Sequence, residues 1–414
     1  MTRADATARV IAALKTGGPT SRAALARATG LADSTVSVTV GELVTEGILA
    51  EDVPAPVPGR TGRPPVLVRL HRSAGLVLGV DLGKSHLRVA VADLGHEVLS
   101  ERTVDTVEDL PADAQISQVV ALADELVAEV GATRAQVVSA AVGLPGPVRR
   151  LSGELGDGTI LPGWVGVRAG EAMEAALRLP VAVANDADLG ALGEWTWGAA
   201  RGAETAVYLK ISTGVGAGLI VAGRPFTGVG GTAGEIGHTV LDPSGARCRC
   251  GNHGCLETLA GSQAVLRAVA TARGGEAGLR EIIAAAHQGD TVSRTAIASS
   301  GRAVGRALAT LCNLLNPERV VVGGTLAAAG EPLLGPLQDA LEEAALRGPR
   351  EDVEVVPGQL AERAEVLGAV ALALRGARPL RREPTARSVR VHGAGSARTS
   401  SAGLSTTLKN TRRS

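Results

Sequence analysis

Three cysteines and a histidine lie close together in the middle of the sequence, in a pattern that suits a metal ion. His238 is followed by Cys248, Cys250 and Cys255, and the only other cysteine of the chain is Cys312. Thiolates and imidazole nitrogens are the ligands that Zn²⁺ prefers, and a structural zinc site takes four of them in a tetrahedron. The sequence therefore predicts a structural zinc site. The alternative is a disulfide pair with a spare thiol, which needs an oxidising compartment.

The first residues of the chain give no sign of export. The stretch from Met1 to Leu14 contains an acidic residue, Asp5, and neither a continuous apolar segment nor a small-residue cleavage signal. We therefore expect a reducing, cytoplasmic location, which favours zinc over the disulfide.

Two carboxylates, Glu235 and Glu257, flank the cysteine cluster. A purely structural zinc site does not need these carboxylates as ligands, because thiolates and imidazole already supply all four. We therefore expect the same loop to hold a polar ligand as well.

Polar and glycine residues follow several apolar strands along the chain. Glycine-containing turns at the ends of strands expose backbone N–H groups and let a phosphate approach the backbone closely. A short strand at 181–184 also delivers Asn185 and Asp186. The residues that we predict for a phosphate or nucleotide site are Asp81, Gly83, Lys84, Ser85, Thr213, Gly214, Gly216, Gly218, Gly323 and Gly324.

Residues 1–70 have the pattern of a winged helix-turn-helix. A helix, a short helix and a third helix precede two strands, and the connection between these strands carries Arg60 and Arg63. Hydroxyl side chains on the third helix suit base edges, and wing arginines suit phosphates or the minor groove. The predicted contacts on this helix are Ser34, Thr35, Ser37 and Thr39. The alternative is a helical module that binds protein.

The composition limits the class of protein. With 414 residues and 45% hydrophobic content, the chain should form roughly two to four domains. The formal net charge is +0, so overall charge gives no argument for nucleic-acid binding, although a small basic module fits inside a neutral chain. No long uncharged apolar segment is present, so no membrane partner is expected.

Together these motifs resemble the ROK family of sugar kinases and sugar-responsive transcriptional regulators. The resemblance spans about 71–375 and is most specific at Gly234-Glu235-x-Gly237-His238 and at Cys248-x-Cys250-Gly251-x-x-Gly254-Cys255-x-Glu257. It implies an α/β, actin-like (ribonuclease-H-like) fold of two lobes. Lobe 1 would comprise 71–194 with the helix 361–375, and lobe 2 would comprise 195–360 with the zinc loop. Residues 376–414 read as a disordered basic tail.

The resemblance also implies roles for individual residues. Asn185, Asp186, Glu235, His238 and Glu257 would bind sugar hydroxyls, and Asp186 would be the general base if the protein were a kinase. His238 would bind zinc through one ring nitrogen and sugar through the other. Such a set of amide, imidazole and carboxylate groups recognises a polyol through its hydrogen bonds.

The sequence departs from the kinase pattern at the first phosphate turn. Lys84 and Ser85 stand where kinases of the family carry Gly and Thr, and Asp188 replaces a common Asn. We expect Lys84 to crowd a bound nucleotide, because a side chain stands at a turn where the backbone must come close to the ligand.

The leading hypothesis is a sugar-responsive transcriptional regulator, and specifically a repressor of carbohydrate-use genes. It would bind a palindromic operator as a homodimer or higher homo-oligomer, and its effector would be a sugar or a sugar phosphate. The alternative is an ATP-dependent sugar kinase of the glucokinase or N-acetylhexosamine kinase type that uses ATP and Mg²⁺, or a protein with both functions.

Overall fold

The computed structural model describes residues 2–52, 66–149, 153–155 and 160–380. The two wing arginines, Arg60 and Arg63, and the predicted tail from 381 onward lie outside this range, so these predictions stay predictions.

The N-terminal segment folds as three helices and a three-stranded sheet. Helix α3 begins after Leu31-Ala32 and buries Val36, Val40 and Leu43, which recur at helical spacing. The sheet has the strand order β1-β3-β2 and is antiparallel throughout. These elements confirm the winged helix-turn-helix. They are α1 (Arg3–Gly17), β1 (Thr20–Ser21), α2 (Arg22–Thr29), α3 (Asp33–Thr45), β2 (Leu49–Asp52) and β3 (Leu67–Leu70).

The next segment forms a five-stranded mixed sheet with the order β6-β5-β4-β7-β8. Strands β4 and β5 are almost wholly buried, because apolar residues fill both of their faces. The elements are β4 (Leu76–Leu82), β5 (His86–Asp93), β6 (Val98–Asp105), α4 (Ala112–Glu129), β7 (Val137–Leu144), α5 (Ala169–Leu177), β8 (Val181–Asn185) and α6 (Asp186–Trp197).

A second five-stranded sheet repeats this topology with the order β11-β10-β9-β12-β13. In both sheets the first three strands in chain order are antiparallel neighbours, the fourth pairs in parallel with the first, and the fifth pairs in parallel with the fourth. The strands are β9 (Ala206–Ile211), β10 (Val215–Val221), β11 (Arg224–Pro225), β12 (Arg319–Gly323) and β13 (Glu354–Pro357). The helices are α7 (Leu256–Ala260), α8 (Ser262–Arg273), α9 (Leu279–His287), α10 (Thr291–Leu315), α11 (Glu331–Ala344), α12 (Arg347–Asp352) and α13 (Ala364–Gly376). The repeated topology confirms the two-lobed, actin-like α/β fold.

Helices α6 and α13 pack tightly together between the lobes. A Cβ atom at Gly193 of α6 would lie 2.3 Å from the carbonyl oxygen of Ala364, and one at Gly368 of α13 would lie 1.8 Å from that of Leu189. Only glycine permits such a close approach of two helix backbones. The same device, at Gly218, lets α6 lie on strand β10.

The winged helix-turn-helix and lobe 1 share one hydrophobic core. Val10 and Leu14 of α1 belong to the same cluster of buried side chains as Leu94 and Leu374. At this junction the Nε2–H of His96 donates to the carbonyl oxygen of Lys15, at 3.0 Å. The winged helix-turn-helix is therefore packed on the lobe rather than tethered to it. None of the helices in the described ranges is long and apolar enough to cross a membrane.

The shared core predicts how the chain unfolds. Leu14 is 1% exposed, so Leu14→Ala should lower the free energy of unfolding by about 2–5 kcal/mol. Denaturant titration followed by circular dichroism should show the winged helix and lobe 1 unfolding together at a lower midpoint. Leu314→Ala, at a side chain that is 79% exposed, is the control and should leave the midpoint unchanged. An early transition of the N-terminal segment alone, with the main midpoint kept, would contradict the shared core.

Candidate functional site

A cavity of about 440 Å³ opens between the two lobes. The ends of β4, β8 and β9 reach it, together with the cysteine loop. The structure brings most of the predicted site residues together on its walls: Gly83, Lys84, Ser85, Asn185, Asp186, Thr213, Gly214, Gly216, Glu235, His238 and Glu257. Four of the residues predicted for the phosphate or nucleotide site do not line it: Asp81, Gly218, Gly323 and Gly324.

The predicted metal ligands converge beside this cavity. Their ligand atoms, in His238, Cys248, Cys250 and Cys255, all lie within 4.8 Å of one another. The Sγ atoms of Cys250 and Cys255 are 3.6 Å apart, and Nδ1 of His238 is 3.6 Å from Sγ of Cys248. A tetrahedron with Zn–S bonds of about 2.3 Å has edges of about 3.8 Å. The cluster therefore has the size and donor set of a four-ligand metal site, and all its cysteines are free.

The His238 ring faces two ways. Its Nδ1 points at the thiols, whereas its Nε2 lies 3.7 Å from a carboxylate oxygen of Glu235 on the cavity wall. His238 ends a short 3-10 turn, Ile236–His238, that places its ring between the two groups.

Glu257 is tied to the cysteine loop as well. Arg249, which stands between two of the cysteines, donates from Nη2 to Oε2 of Glu257 at 2.7 Å. The N–H of Val215 donates to the same oxygen at 3.4 Å. These two donors orient the carboxylate against Gly214, where a Cβ atom would lie 2.5 Å from Oε2.

Asn185 and Asp186 are fixed at the start of α6. The side chain of Asn185 caps the helix by accepting from the N–H groups of Ala187 and Asp188, and its amide donates to the carbonyl of Gly146. Oδ1 of Asp186 accepts from Ala187, and Oδ2 accepts from Nζ of Lys210 at 2.9 Å. Both side chains therefore present a fixed polar edge to the cavity.

Two side chains of the first turn of lobe 1 lie at the cavity. Lys84 lines it and pairs with Glu108 at 3.0 Å, and the expectation that it crowds a nucleotide stays a prediction. His86 lies over the turn: a Cβ at Gly83 would be 2.2 Å from its ring. Its Nε2–H donates to Oδ2 of the buried Asp81 at 3.0 Å. This hydrogen bond raises the pKa of His86 despite the opposing effect of burial.

The comparisons with known proteins fit this geometry. The ROK family model matches residues 77–376. The chain belongs to the ROK family. The xylose repressor of Caldicellulosiruptor bescii is 28% identical over 369 residues, which cover 86% of this chain and 91% of the repressor.

Two solved structures extend the match. A ROK family transcriptional regulator, homologous to the E. coli Mlc protein, covers 90% of this chain and 97% of its own, with a TM-score of 0.73 and 29% identity. A ROK family glucokinase from Streptomyces griseus, solved with glucose and AMPPNP, covers 72% of this chain and 99% of its own, with a TM-score of 0.64 and 28% identity. The match to the regulator covers more of this chain than the match to the glucokinase does.

Three of the glycines predicted to face a phosphate have packing roles within the ROK domain. A Cβ at Gly218 would lie 2.2 Å from the carbonyl of Ala187, one at Gly323 would lie 2.3 Å from the Tyr208 hydroxyl, and one at Gly324 would lie 2.5 Å from the carbonyl of Ile211. A glycine with such a packing role keeps its backbone N–H, so the expectation that these residues contact a phosphate stays a prediction.

The predicted DNA-contacting face of α3 needs one correction. Ser34 and Ser37 are exposed and Thr35 is half-buried. Thr39 is only 4% exposed, so the prediction that it faces outward is wrong. Val38, exposed to 62%, takes its place on the outer face, where an apolar side chain suits a thymine methyl group.

Sequence reasoning missed four charged residues of the cleft. Lys210, Arg249 and His86 line it, and Glu365 lies behind it. A signal existed for two of them: Lys210 and Glu365 interrupt apolar segments, and charged residues in such segments are seldom buried unless they are paired.

A pH dependence follows from Asp188. Burial, with the nearby charges of Asp186 and Glu235, raises the pKa of this carboxyl to about 7. The folded state therefore holds a proton that the unfolded state releases above about pH 4, so stability should fall as the pH rises from 4 through 7. Asp188→Asn should remove this slope and raise the free energy of unfolding at pH 8 by a few kcal/mol, on the order of the pKa shift. Urea titrations of both proteins at pH 5, 6, 7 and 8 measure it, and parallel pH profiles would contradict the assignment.

Proposed function

We propose that this chain is a sugar-responsive DNA-binding transcriptional regulator, a repressor of carbohydrate-use genes. The observation that carries the proposal is a winged helix-turn-helix that shares its core with a two-lobed domain whose cleft gathers carboxylate, amide and imidazole groups. The likeness to a xylose repressor and to a ROK regulator over most of the chain supports it.

The sugar is bound by the polar groups that converge on the cleft. The carboxylates of Asp186, Glu235 and Glu257 accept hydrogen bonds from sugar hydroxyls, and Nε2 of His238 and the amide of Asn185 complete the set. Each of these side chains is held by a second hydrogen bond or contact outside the sugar, so their positions are fixed before the ligand arrives. Such preorganisation lowers the entropic cost of binding and rejects sugars that lack one hydroxyl.

In this proposal Zn²⁺ is bound at His238 and the three nearby cysteines, and its role is structural. Its ligands are Nδ1 of His238 and the thiolates of Cys248, Cys250 and Cys255, whose spacing suits a tetrahedron. The metal holds the ring of His238 and the loop that carries Arg249, and these two side chains contact Glu235 and Glu257.

Helix α6 connects the cleft to the DNA-binding segment. It begins at Asp186 on the cleft wall and ends at Trp197, about 18 Å away for its 12 residues. The Trp197 ring lies edge-on against His96, with ring centroids 5.6 Å apart, and His96 binds the carbonyl of Lys15 in α1. A shift of α6 on sugar binding is therefore passed directly to the winged helix.

The regulator acts on operator DNA as a homodimer. Two winged helices present α3 to two half-sites, and a sugar or sugar phosphate in each cleft favours a form in which the spacing of these helices no longer matches the operator.

The function is tested by a mobility shift on the DNA upstream of the chain's own gene. Wild-type protein should bind this DNA, and titration with one of xylose, glucose, N-acetylglucosamine or their phosphates should release it. Ser37→Glu should weaken binding by about tenfold or more, because it places a negative charge against the phosphates. Ser117→Glu, on the exposed face of α4, is the matched control and should bind normally. Binding that no sugar alters would sink the proposal.

The rival function is an ATP-dependent sugar kinase, which the likeness to the glucokinase favours. The two functions separate in a coupled assay of ATP consumption across the same sugars. Turnover that is lost in Asp186→Asn would favour the kinase.

The zinc proposal gives a prediction of its own. Elemental analysis of the purified protein should find about one zinc per chain. Cys248→Ser should lower the zinc content, the melting temperature and the sugar response together, since His238 and Arg249 lose their anchor. Cys312→Ser is the control, because Cys312 is buried in α10 away from the cluster. If Cys248→Ser leaves both zinc content and sugar response intact, the metal site is wrong.

A further inference from the structure

A lysine lies at the centre of the charged groups between the lobes. Lys210, in strand β9, is buried except for 16% of its side chain. Its Nζ lies 2.9 Å from Oδ2 of Asp186, at the start of α6, and 3.2 Å from Oε1 of Glu365, at the start of α13. The buried Asp81 at the end of β4 lies close enough to interact with the same ammonium.

The charges of this cluster depend on one another. Burial on its own favours the neutral form of a lysine, yet the carboxylates of Asp186, Glu365 and Asp81 raise the pKa of Lys210 well above its usual range. Burial also raises the pKa of Glu365, and the ammonium opposes this effect. An uncompensated carboxylate in such a place is costly, so the cluster needs a cation.

We propose that Lys210 is a built-in counter-cation of the cleft, which neutralises its carboxylates and positions Asp186 for a sugar hydroxyl, so that ligand binding needs neither a divalent metal at these carboxylates nor a nucleotide. The proposal rests on the sensing function above and deepens it. Lys210 is a positioning residue, because it acts on the sugar through Asp186.

The cleft residues do not fit a metal–nucleotide complex. A Mg²⁺ ion drawn to Asp81 or Asp186 would meet the ammonium of Lys210, and like charges repel strongly where water is scarce. Oδ2 of Asp81 already accepts from His86, and the ring of His86 lies on Gly83, where a phosphate would need the backbone. The positive charge of a metal is thus supplied by the chain itself.

The proposal is tested without any sugar, with Mn²⁺ as the probe. In the full-length, zinc-loaded wild-type protein, MnCl₂ should not change the melting temperature, and electron paramagnetic resonance should show no protein-bound Mn²⁺. Lys210→Ala removes the ammonium and leaves its carboxylates, so this variant should bind Mn²⁺ and melt about 3 °C or more higher at saturating metal. Adding Asp186→Asn to this variant should abolish the response.

A charge-removal control and a rescue variant accompany the test. Arg319→Met removes a cation from β12, where the side chain pairs with Glu354 outside the cleft, and should show no response to Mn²⁺. If Lys210→Ala does not fold, the double variant Lys210→Ala/Glu365→Gln, which removes one unpaired carboxylate, replaces it. If neither folds, the wild-type titration decides, because bound Mn²⁺ at the cleft overturns the proposal.

A second arm uses glucose as the probe in calorimetry, with and without MgCl₂ and AMPPNP. The affinity of the wild-type protein for glucose should be the same within about twofold in both conditions. Lys210→Ala should bind glucose about tenfold more weakly, which corresponds to the loss of a hydrogen bond to a charged group. Mn²⁺ should restore part of the affinity of this variant. If Mn²⁺ does not change the glucose affinity of Lys210→Ala, the role of Lys210 is purely structural and the proposal is overturned. A wild-type affinity that requires MgCl₂ and AMPPNP overturns it as well. Failure of the regulatory function is seen separately, as DNA binding that no sugar alters.

Discussion

The buried ion cluster around Lys210 is the interaction on which the rest of the molecule depends. It joins a strand of lobe 2 to the first turns of α6 and α13, which lie far apart in the sequence. Because an unpaired charge is costly in this place, the lobes cannot part without water entering the cluster. The same ammonium fixes Asp186 on the wall of the cleft. One lysine thus sets both the geometry between the lobes and the chemistry of the site.

The cysteine loop supplies the opposite wall through two separate contacts. His238 reaches Glu235 through Nε2, and Arg249 reaches Glu257 through its guanidinium. In the proposed zinc site, His238 and the three cysteines hold the loop from which both side chains project. The loop lies outside the helices and named strands, so a metal ion would add to its stability and hold two recognition groups at once. The proposed metal site and the proposed sugar site are therefore joined.

Much of this could be predicted from the sequence, for local reasons. The cysteine spacing, the strands that end in polar residues and the helical periodicity of residues 1–70 all act over a few residues, so their pattern survives in the sequence. Lys210 could not be assigned a role, because its partners come from α6 and α13 and only the fold brings them together. Thr39 was misplaced for a related reason: the rotation of α3 is set by the core that it packs against, and a hydroxyl residue on its inner face looks no different in sequence from one outside.

In the proposed regulator, the cleft and the winged helix are one coupled system, linked through α6, His96 and α1. Coupling of this kind is reciprocal: an effector that weakens DNA binding by some factor must itself bind more weakly to the DNA complex by the same factor. The most direct test is calorimetric titration of the effector sugar into the free protein and into the protein saturated with its operator. Coupling predicts that the two dissociation constants differ by the same factor as the operator affinities measured with and without sugar. Equal dissociation constants for free and DNA-bound protein would contradict this coupling.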